Sequence, residues 1–518
     1  MKLGVDGSLP HRWWTLVAVC AATFMLLVDV TIVQVALPTI QRRLDASFSD
    51  LQWIIDAYAL TLATLILSWG SISDRFGRKR VFLVGLGVFT ASSLLCGLAD
   101  STMMLIWSRA LQGVGGAAMF ATGLALIGQD FHGVERGKAI AAWGATVGGA
   151  VAIGPLIGGV LTSGLGWRWI FIVNVPVGVV AIWLAATRML NRRDPGATNL
   201  DPMGLVTFSA TMFLLEFGLI RGNSLGWHSA ALLSLLGGSA LALVAFVLVE
   251  SHQARPMFDL ALFRKPGFTG VCAGTFAIGA GMFAMLPFLT LYLQNDLGFS
   301  PLAGGVRLLP ATVLAFVVPV AFRSLTERLP AGLVLGAGLA ITAGGLAALL
   351  AVTSTSGWLT LVPGEILCGF GIGLANPAIA RTGLGVVPPE RSGMASGISN
   401  TFRVGGLATG VAALGAIFQQ RITASLVATF DKGAAQLGRV AASGGVDAAA
   451  VYAHGRPGAV ATIHIAFVSG LRDIIVIGMI VVLIGALAAV ALVRAKDFVH
   501  APRAQESSSQ ETIAAFEG

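Results

Sequence analysis

Charge is what this chain has least of. Asp, Glu, Lys and Arg make up 11% of its 518 residues, against about 25% in a typical soluble domain. A water-soluble protein of this length needs far more polar surface, so a soluble globular fold is excluded. Cysteine is scarce too: Cys20, Cys96, Cys272 and Cys368 all fall within apolar runs, with no CxxC pair and no disulfide framework. The seven histidines show no metal-like spacing. No GxxxxGK[ST] phosphate loop occurs, and no nucleophile, base or metal constellation supports an enzyme. Lys and Arg are scattered through short segments, so the net charge of +8 argues against a nucleic-acid partner.

Apolar residues fill the chain instead. It is 56% hydrophobic with 66 glycines, a composition that matches transmembrane helices packing through small residues. A helix needs about 20 mainly apolar residues to cross a bilayer. Fourteen stretches meet that test, from 14–36 and 51–72 to 393–418 and 472–494. The prediction is an all-α polytopic membrane protein. Its first apolar run is too long for a signal peptide and reads as an uncleaved helix. Lys and Arg concentrate in segments on the same side as the N-terminus, Arg75, Arg78, Lys79 and Arg80 among them, which puts both termini in the cytoplasm.

The two halves repeat. Asp74-Arg75 aligns with Glu327-Arg328, Arg109 with Glu365, and Glu135 with Glu390, in order and at nearly one spacing. The repeat spans eight helices, so two six-helix bundles are separated by two extra ones. The expected layout is a cytoplasmic N-terminus at 1–13, a first bundle at 14–188 and a linker with two extra helices at 189–267. A second bundle follows at 268–494, interrupted by a long extracytoplasmic loop at 420–470. The polar stretch 495–518 reads as a disordered cytoplasmic tail. Bundle repeats of this kind are typical of secondary transporters, which bind substrate at the midplane between rocking halves. With no nucleotide-hydrolysing motif, uphill transport has to draw on an ion gradient.

Four motifs carry a family resemblance. "GSISDRFGRKRVFL" (70–83) is similar to the signature loop of the major facilitator superfamily, between helices 2 and 3. "LVDVTIVQVALP" (27–38), "RALQGVGGAA" (109–118) and "GAVAIGPLIGG" (149–159) resemble the first-, fourth- and fifth-helix motifs of its fourteen-helix drug:proton antiporters. The resemblance implies a major facilitator fold of fourteen helices. It also implies a cytoplasmic latch of Asp74, Arg75 and Arg78 between the halves, with Asp130 as a candidate partner. The residues agree in kind. A topology anchor alone needs only Lys and Arg, whereas Asp74, Gly70 and Gly77 suit a helix end, a close approach and a tight turn. Gly154-Pro155 inside a helix allows a kink, and Gly158 and Gly159 allow close packing. In the family that fifth-helix motif marks exporters. One departure is Pro330, which replaces the glycine in the second-half loop.

Ionisable residues inside a membrane are functional candidates, because a charge at the helix centre costs about 2.5–3.5 kcal/mol on insertion scales. Asp29 is the leading candidate for reversible protonation, with Arg109 as its counter-ion; a static ion pair is the plainer alternative. Asp56 lies nearer the helix end, as a cavity acid or a solvated rim residue. Glu365 occupies the repeat position of Arg109 and is expected to pair with Arg403. Glu216 reads as a helix-end or lipid-facing side chain, and Arg307 as a snorkelling one. The expected function is proton-coupled efflux of amphipathic, cationic drugs or toxic compounds across the plasma membrane by alternating access. The protein is expected to act as a monomer, with the proton as coupling ion and no cofactor. An exporter of one endogenous metabolite, such as an antibiotic or siderophore, is the alternative, and a non-transporting sensor is a remoter one.

Overall fold

The structure is a computed structural model. It describes residues 11–131, 133–190, 201–253, 256, 258–387, 392–430, 434, 436–442, 449, 458–494 and 497–498. Twelve helices are long and apolar enough to cross a bilayer. Two bent pairs each complete one more span, giving fourteen among the described residues. In a bilayer every backbone polar group must be satisfied within its own segment, which leaves the helix as the only open-chain solution.

The first half comprises α1 (His11–Leu44), α2 (Phe48–Phe76), α3 (Arg78–Leu98), α4 (Thr102–Asp130) and α5 (Gly133–Gly164). Its sixth span is the short α6 (Trp169–Ile172) followed by α7 (Asn174–Arg188). Two further helices, α8 (Pro202–Leu225) and α9 (Ala230–His252), form a hairpin. The second half opens with a broken span of α10 (Pro266–Ala277), a π turn at Ile278–Met282, a 3-10 turn at Phe283–Met285, α11 (Leu286–Leu291) and a second π turn at Tyr292–Asp296. It continues through α12 (Pro301–Arg307), α13 (Leu309–Ala321) and α14 (Arg323–Arg328) to α15 (Ala331–Leu349), α16 (Val362–Gly385), α17 (Ser392–Phe430) and α18 (Ala459–Leu492).

The sequence repeat is a repeat of packing. In the first half α4 packs on α2 and α3, α1 on α5, and α7 on α1 and α3. In the second half α16 packs on α13 and α15, α10 on α17, and α18 on α10 and α15, which is the same set of contacts. The halves meet along two matching seams, α2 against α17 and α5 against α12 and α13. The α8–α9 hairpin lies beside the first seam, with α8 against both α2 and α17. Its outer helix α9 is mostly exposed and apolar, Leu241 to 73%, as a lipid-facing helix has to be.

Close packing in both halves depends on glycine. A β-carbon on Gly115 of α4 would lie 2.5 Å from the Phe89 backbone nitrogen of α3, and Gly371 of α16 meets Gly338 and Thr342 of α15 in the same way. Without a hydrophobic drive between helices in lipid, such backbone approach supplies the contact energy. In α5 the chain bends by 42° between Ala142–Ala150 and Ala152–Gly164. That break falls four residues before Pro155, where the missing N–H leaves the carbonyl of residue 151 unbonded.

The last two spans differ from expectation. Residues 420–430 continue α17, and α18 begins at Ala459 and not near Arg472, so the expected loop at 420–470 shrinks to the stretch between Phe430 and Ala459. Most of that stretch lies outside the described residues, as do 1–10 of the N-terminus, 191–200 of the linker and 499–518 of the tail. Gly115→Leu is expected to force α3 and α4 apart and cost at least about 1–3 kcal/mol. Thermal unfolding of the purified protein checks this, and an unchanged midpoint refutes the packing account.

Candidate functional site

Arg109 lies seven residues into α4, with only 2% of its surface exposed. Its Nη1 pairs with Oδ2 of Asp29, which is fully buried on α1, and also donates to Gln112 Oε1 at 2.6 Å. Its Nε donates to the Ile54 carbonyl of α2 at 3.1 Å. The guanidinium stacks over the Tyr58 ring at 4.2 Å and lies 5.8 Å from the Phe171 ring. The second oxygen of Asp29 accepts from Gln112 Nε2 at 2.8 Å and from Asn174 Nδ2 at 3.0 Å. Gln112 Nε2 also donates to Ser93 Oγ of α3 at 2.7 Å. One polar cluster thus ties together the first four helices and both parts of the sixth span. Its spacing is local: Gln112 is one turn from Arg109 on the same face.

The expected Asp29–Arg109 pair is present, and every partner described for it belongs to the first half. Gln112, Ser93, Tyr58 and Asn174 were not singled out from sequence. The i, i+3 spacing of Arg109 and Gln112 was the available signal.

Three other buried carboxylates have no such company. Asp56 on α2 is fully buried, and neither of its oxygens has a hydrogen-bond partner. This corrects its reading as a solvated rim residue. Glu365, in the first turn of α16, is 3% exposed with both oxygens unpartnered, and the expected ion pair with Arg403 does not form. Glu216 on α8 is also fully buried, not lipid-facing, because the hairpin turns that face toward α2 and α17. Its Oε1 accepts from Thr409 Oγ1 at 2.8 Å, and its Oε2 has no partner. An isolated carboxylate ion in apolar surroundings costs many kcal/mol, so groups like these must be neutralised by a proton or a cation. Arg307 reaches back toward its helix end, where its guanidinium lies 3.6 Å from the Phe299 ring centre and 4.9 Å from that of Trp358.

The α2–α3 turn is held by its own charges. Arg78 donates to Asp74 Oδ1 through Nε at 3.1 Å and Nη2 at 3.0 Å, and through Nη1 to the Ala125 carbonyl of α4 at 3.2 Å. Lys79 caps the end of α7 at the Ala186 and Met189 carbonyls. Gly77 has φ +101°, a value that L side chains rarely adopt, which accounts for glycine there. Two expectations fail. Asp130 is not a partner of this turn but accepts from Thr15 Oγ1 at 2.6 Å. Gly70 has open space where a β-carbon would go, so no close approach requires it. Arg75 is exposed, with its guanidinium over Phe76.

The fifth-helix motif lies where the halves meet. Gly154 has no room for a side chain beside Thr31, and Gly158 has none beside Ile32, both on α1. A β-carbon on Gly159 would lie 2.7 Å from Cα of Leu302 on α12, and Gly305 packs onto the Pro155 carbonyl. Ser163 Oγ accepts from the Leu302 N–H at 3.1 Å. Near this end of the bundle Gln294 Nε2 donates to the Val35 carbonyl at 2.8 Å, again across the halves. A cavity of about 1050 Å³ opens at the end carrying the α1–α2 turn, lined by Arg42, Phe48, Ile220, Asn223 and Gln419 among others.

Residues 19–411 match the family model described as Major Facilitator Superfamily. This chain belongs to that superfamily. It is 34% identical over 413 residues to the multidrug resistance protein Stp of Mycobacterium tuberculosis, covering 80% of this chain and 77% of the relative. It is also 34% identical over 433 residues to the tetracenomycin C resistance and export protein of Streptomyces glaucescens, covering 80% and 78%. Its fold is similar to the crystal structure of a bacterial homologue of the human lysosomal transporter Spinster, in an inward-facing, unoccupied conformation. The TM-score is 0.64 at 18% identity, over 96% of this chain and all of that one. Members of the Major Facilitator Superfamily are membrane transporters of small molecules, and this chain is a multi-span membrane protein of that kind.

Arg109→Ala leaves Asp29 buried without a cation and is expected to cost about 3–5 kcal/mol of stability. Asp29→Asn combined with Arg109→Gln is expected to cost less than the two single changes summed. A double-mutant cycle on denaturation midpoints of the purified protein checks it; additive costs would mean that the two residues do not act as a pair.

Proposed function

We propose that this protein exports amphipathic, cationic drugs or related toxic compounds across the cell's plasma membrane in exchange for protons, by alternating access. Both termini lie in the cytoplasm, the α2–α3 turn lies on the cytoplasmic face and the α1–α2 cavity on the outer one. The observation that carries the reading is the pair of buried, unneutralised carboxylates Asp56 and Glu365, one in each half of the bundle. Each needs a positive partner, and a proton and a lipophilic cation are the two that could alternate there. Each proton that enters contributes about 2.3 kcal/mol per 100 mV of membrane potential plus the pH-gradient term; a singly charged cation leaving in exchange spends the electrical part, so one-for-one exchange is driven by the pH gradient.

The Asp29–Arg109 cluster is the second part of the proposal. Protonation of Asp29 would release Arg109 from its counter-ion and loosen the tie among five spans of the first half, coupling proton entry to rearrangement. The glycine seam of Gly154, Gly158 and Gly159 with Gly305 is where the outer ends part. Asp74, Arg75, Gly77 and Arg78 guard the opposite end. The protein works as a monomer and needs no cofactor. A relative named for export of a single antibiotic favours a second reading, a dedicated exporter of one metabolite; a panel of structurally unrelated cations separates the two.

Cells expressing the wild type are expected to extrude a cationic dye, to stop when an uncoupler is added, and to lose about tenfold or more of that efflux with Asp29→Asn. Fluorescence of dye-loaded cells reads this directly. Efflux that ignores the uncoupler rules out proton coupling, and full efflux by Asp29→Asn removes that residue from it.

A further inference from the structure

The two additional helices bring a charge of their own to the seam. Glu216 of α8 and Asp56 of α2 lie near one level where α2, α8 and α17 pack together: Thr409 of α17 bonds Glu216, and Gln52, about one turn before Asp56, bonds the Val411 carbonyl two residues further along α17. Both are fully buried. Of their four carboxylate oxygens only Glu216 Oε1 has a partner, the Thr409 hydroxyl of α17. Along the same stretches of α2 and α8, Trp53, Phe213 and Phe217 cluster with ring centres 5.8–6.3 Å apart, Phe213 toward the exposed side. Trp53 precedes Asp56 by one turn of α2, and Phe213 precedes Glu216 by one turn of α8.

The titratable and charged groups on the surrounding helices leave the pair uncompensated. On α4, Arg109 is committed to Asp29, and Tyr58 of α2 lies beneath its guanidinium. Arg403 of α17 is six residues from Thr409, about 9 Å along the helix, and forms no ion pair with either acid. Arg221 of α8 is exposed near the helix end. Two carboxylates buried in one three-helix contact, out of water and without a cation, cannot both stay ionised.

We propose that Asp56 and Glu216 form one two-carboxyl proton site, so that the additional hairpin is part of the coupling machinery and not only a spacer between bundles. A proton adds to one of the two carboxylates, and the charge that remains on the other is then the only one the three-helix contact holds. When the proton leaves, the charge it uncovers is answered by the cationic group of the cargo, against the Trp53–Phe213–Phe217 face. Access runs from the outer cavity, whose wall includes Ile220, one turn of α8 from Glu216. The Thr409 hydroxyl orients Glu216 from the second half, so the site reports the packing of α17 on α2 and α8. The inference rests on proton-coupled export and assigns it a residue that lies outside both six-helix bundles.

The test uses the full chain in liposomes, with ethidium as probe. Ethidium movement driven by an imposed pH gradient is compared with ethidium-for-ethidium exchange at equal pH, which needs no net proton transfer. Glu216→Gln is expected to lose gradient-driven movement by about tenfold or more while exchange continues, and Glu216→Asp to restore part of it. Asp56→Asn with Glu216→Gln is expected to be no worse than the weaker single variant, as for two groups acting as one. Wild-type gradient-driven movement in Glu216→Gln overturns the shared site. Loss of both movement and exchange in that variant overturns it too, because Glu216 is then needed for cargo binding or for the fold and not for proton coupling. A wild type that shows exchange but no response to the gradient overturns proton coupling itself, a failure distinct from either.

Discussion

A guanidinium with no water in reach has to be answered by protein, and Arg109 is answered from every side. Its charge is met by Asp29, two further donors by Gln112 and the Ile54 carbonyl, and its faces by Tyr58 and Phe171. These groups come from separate helices, so the need to satisfy one buried cation fixes how the first bundle is assembled. The arrangement is also expensive to disturb, since removing either charge strands the other in a medium that cannot solvate it. The second bundle has the same helix contacts, but Glu365 stands at the matching position without a cation. The repeat is thus symmetric in packing and asymmetric in charge.

Much of this could be read from the sequence. Fourteen apolar stretches are visible because the bilayer demands a minimum run of apolar residues, and the first-half ion pair because a lone charge in such a run needs a partner. The kink in α5 follows from Pro155. What the sequence concealed was direction. The spanning helices are apolar around their whole circumference, so nothing in their pattern says which face meets lipid and which meets a neighbour. For that reason the sequence left Asp56 between a cavity acid and a rim residue and read Glu216 as a helix-end or lipid-facing one, although both are buried on helices of a three-helix contact. Helix ends were concealed for a different reason. Hydropathy marks where the membrane stops, and α17 continues past that level through Gln419, Gln420 and Arg421 to Phe430.

The two seams between the halves differ in what they are made of. The α5–α12 seam is glycine against backbone, with little side-chain interlock. The α2–α17 seam is threaded by polar contacts, Gln52 Nε2 to the Val411 carbonyl at 3.1 Å and Thr401 Oγ1 to the Ala63 carbonyl at 3.4 Å. Only the second seam carries the additional hairpin and its acid.

The span from Pro266 to Asp296 contains two π turns. Each wide turn holds one residue more than an α-helical turn, which rotates everything beyond it by about 100° relative to an unbroken helix. A straight helix shows any one neighbour a single stripe; this one changes stripe twice. Before and within the first wide turn it lays Gly279 on the backbone of α17 and Gly281 on Gly478 of α18. Beyond, it sends the Tyr292 hydroxyl to the Ser356 carbonyl and Gln294 across to α1. The extra residues act as a built-in change of register, by which a single rod is in contact with its own bundle at one end and with the opposite bundle at the other.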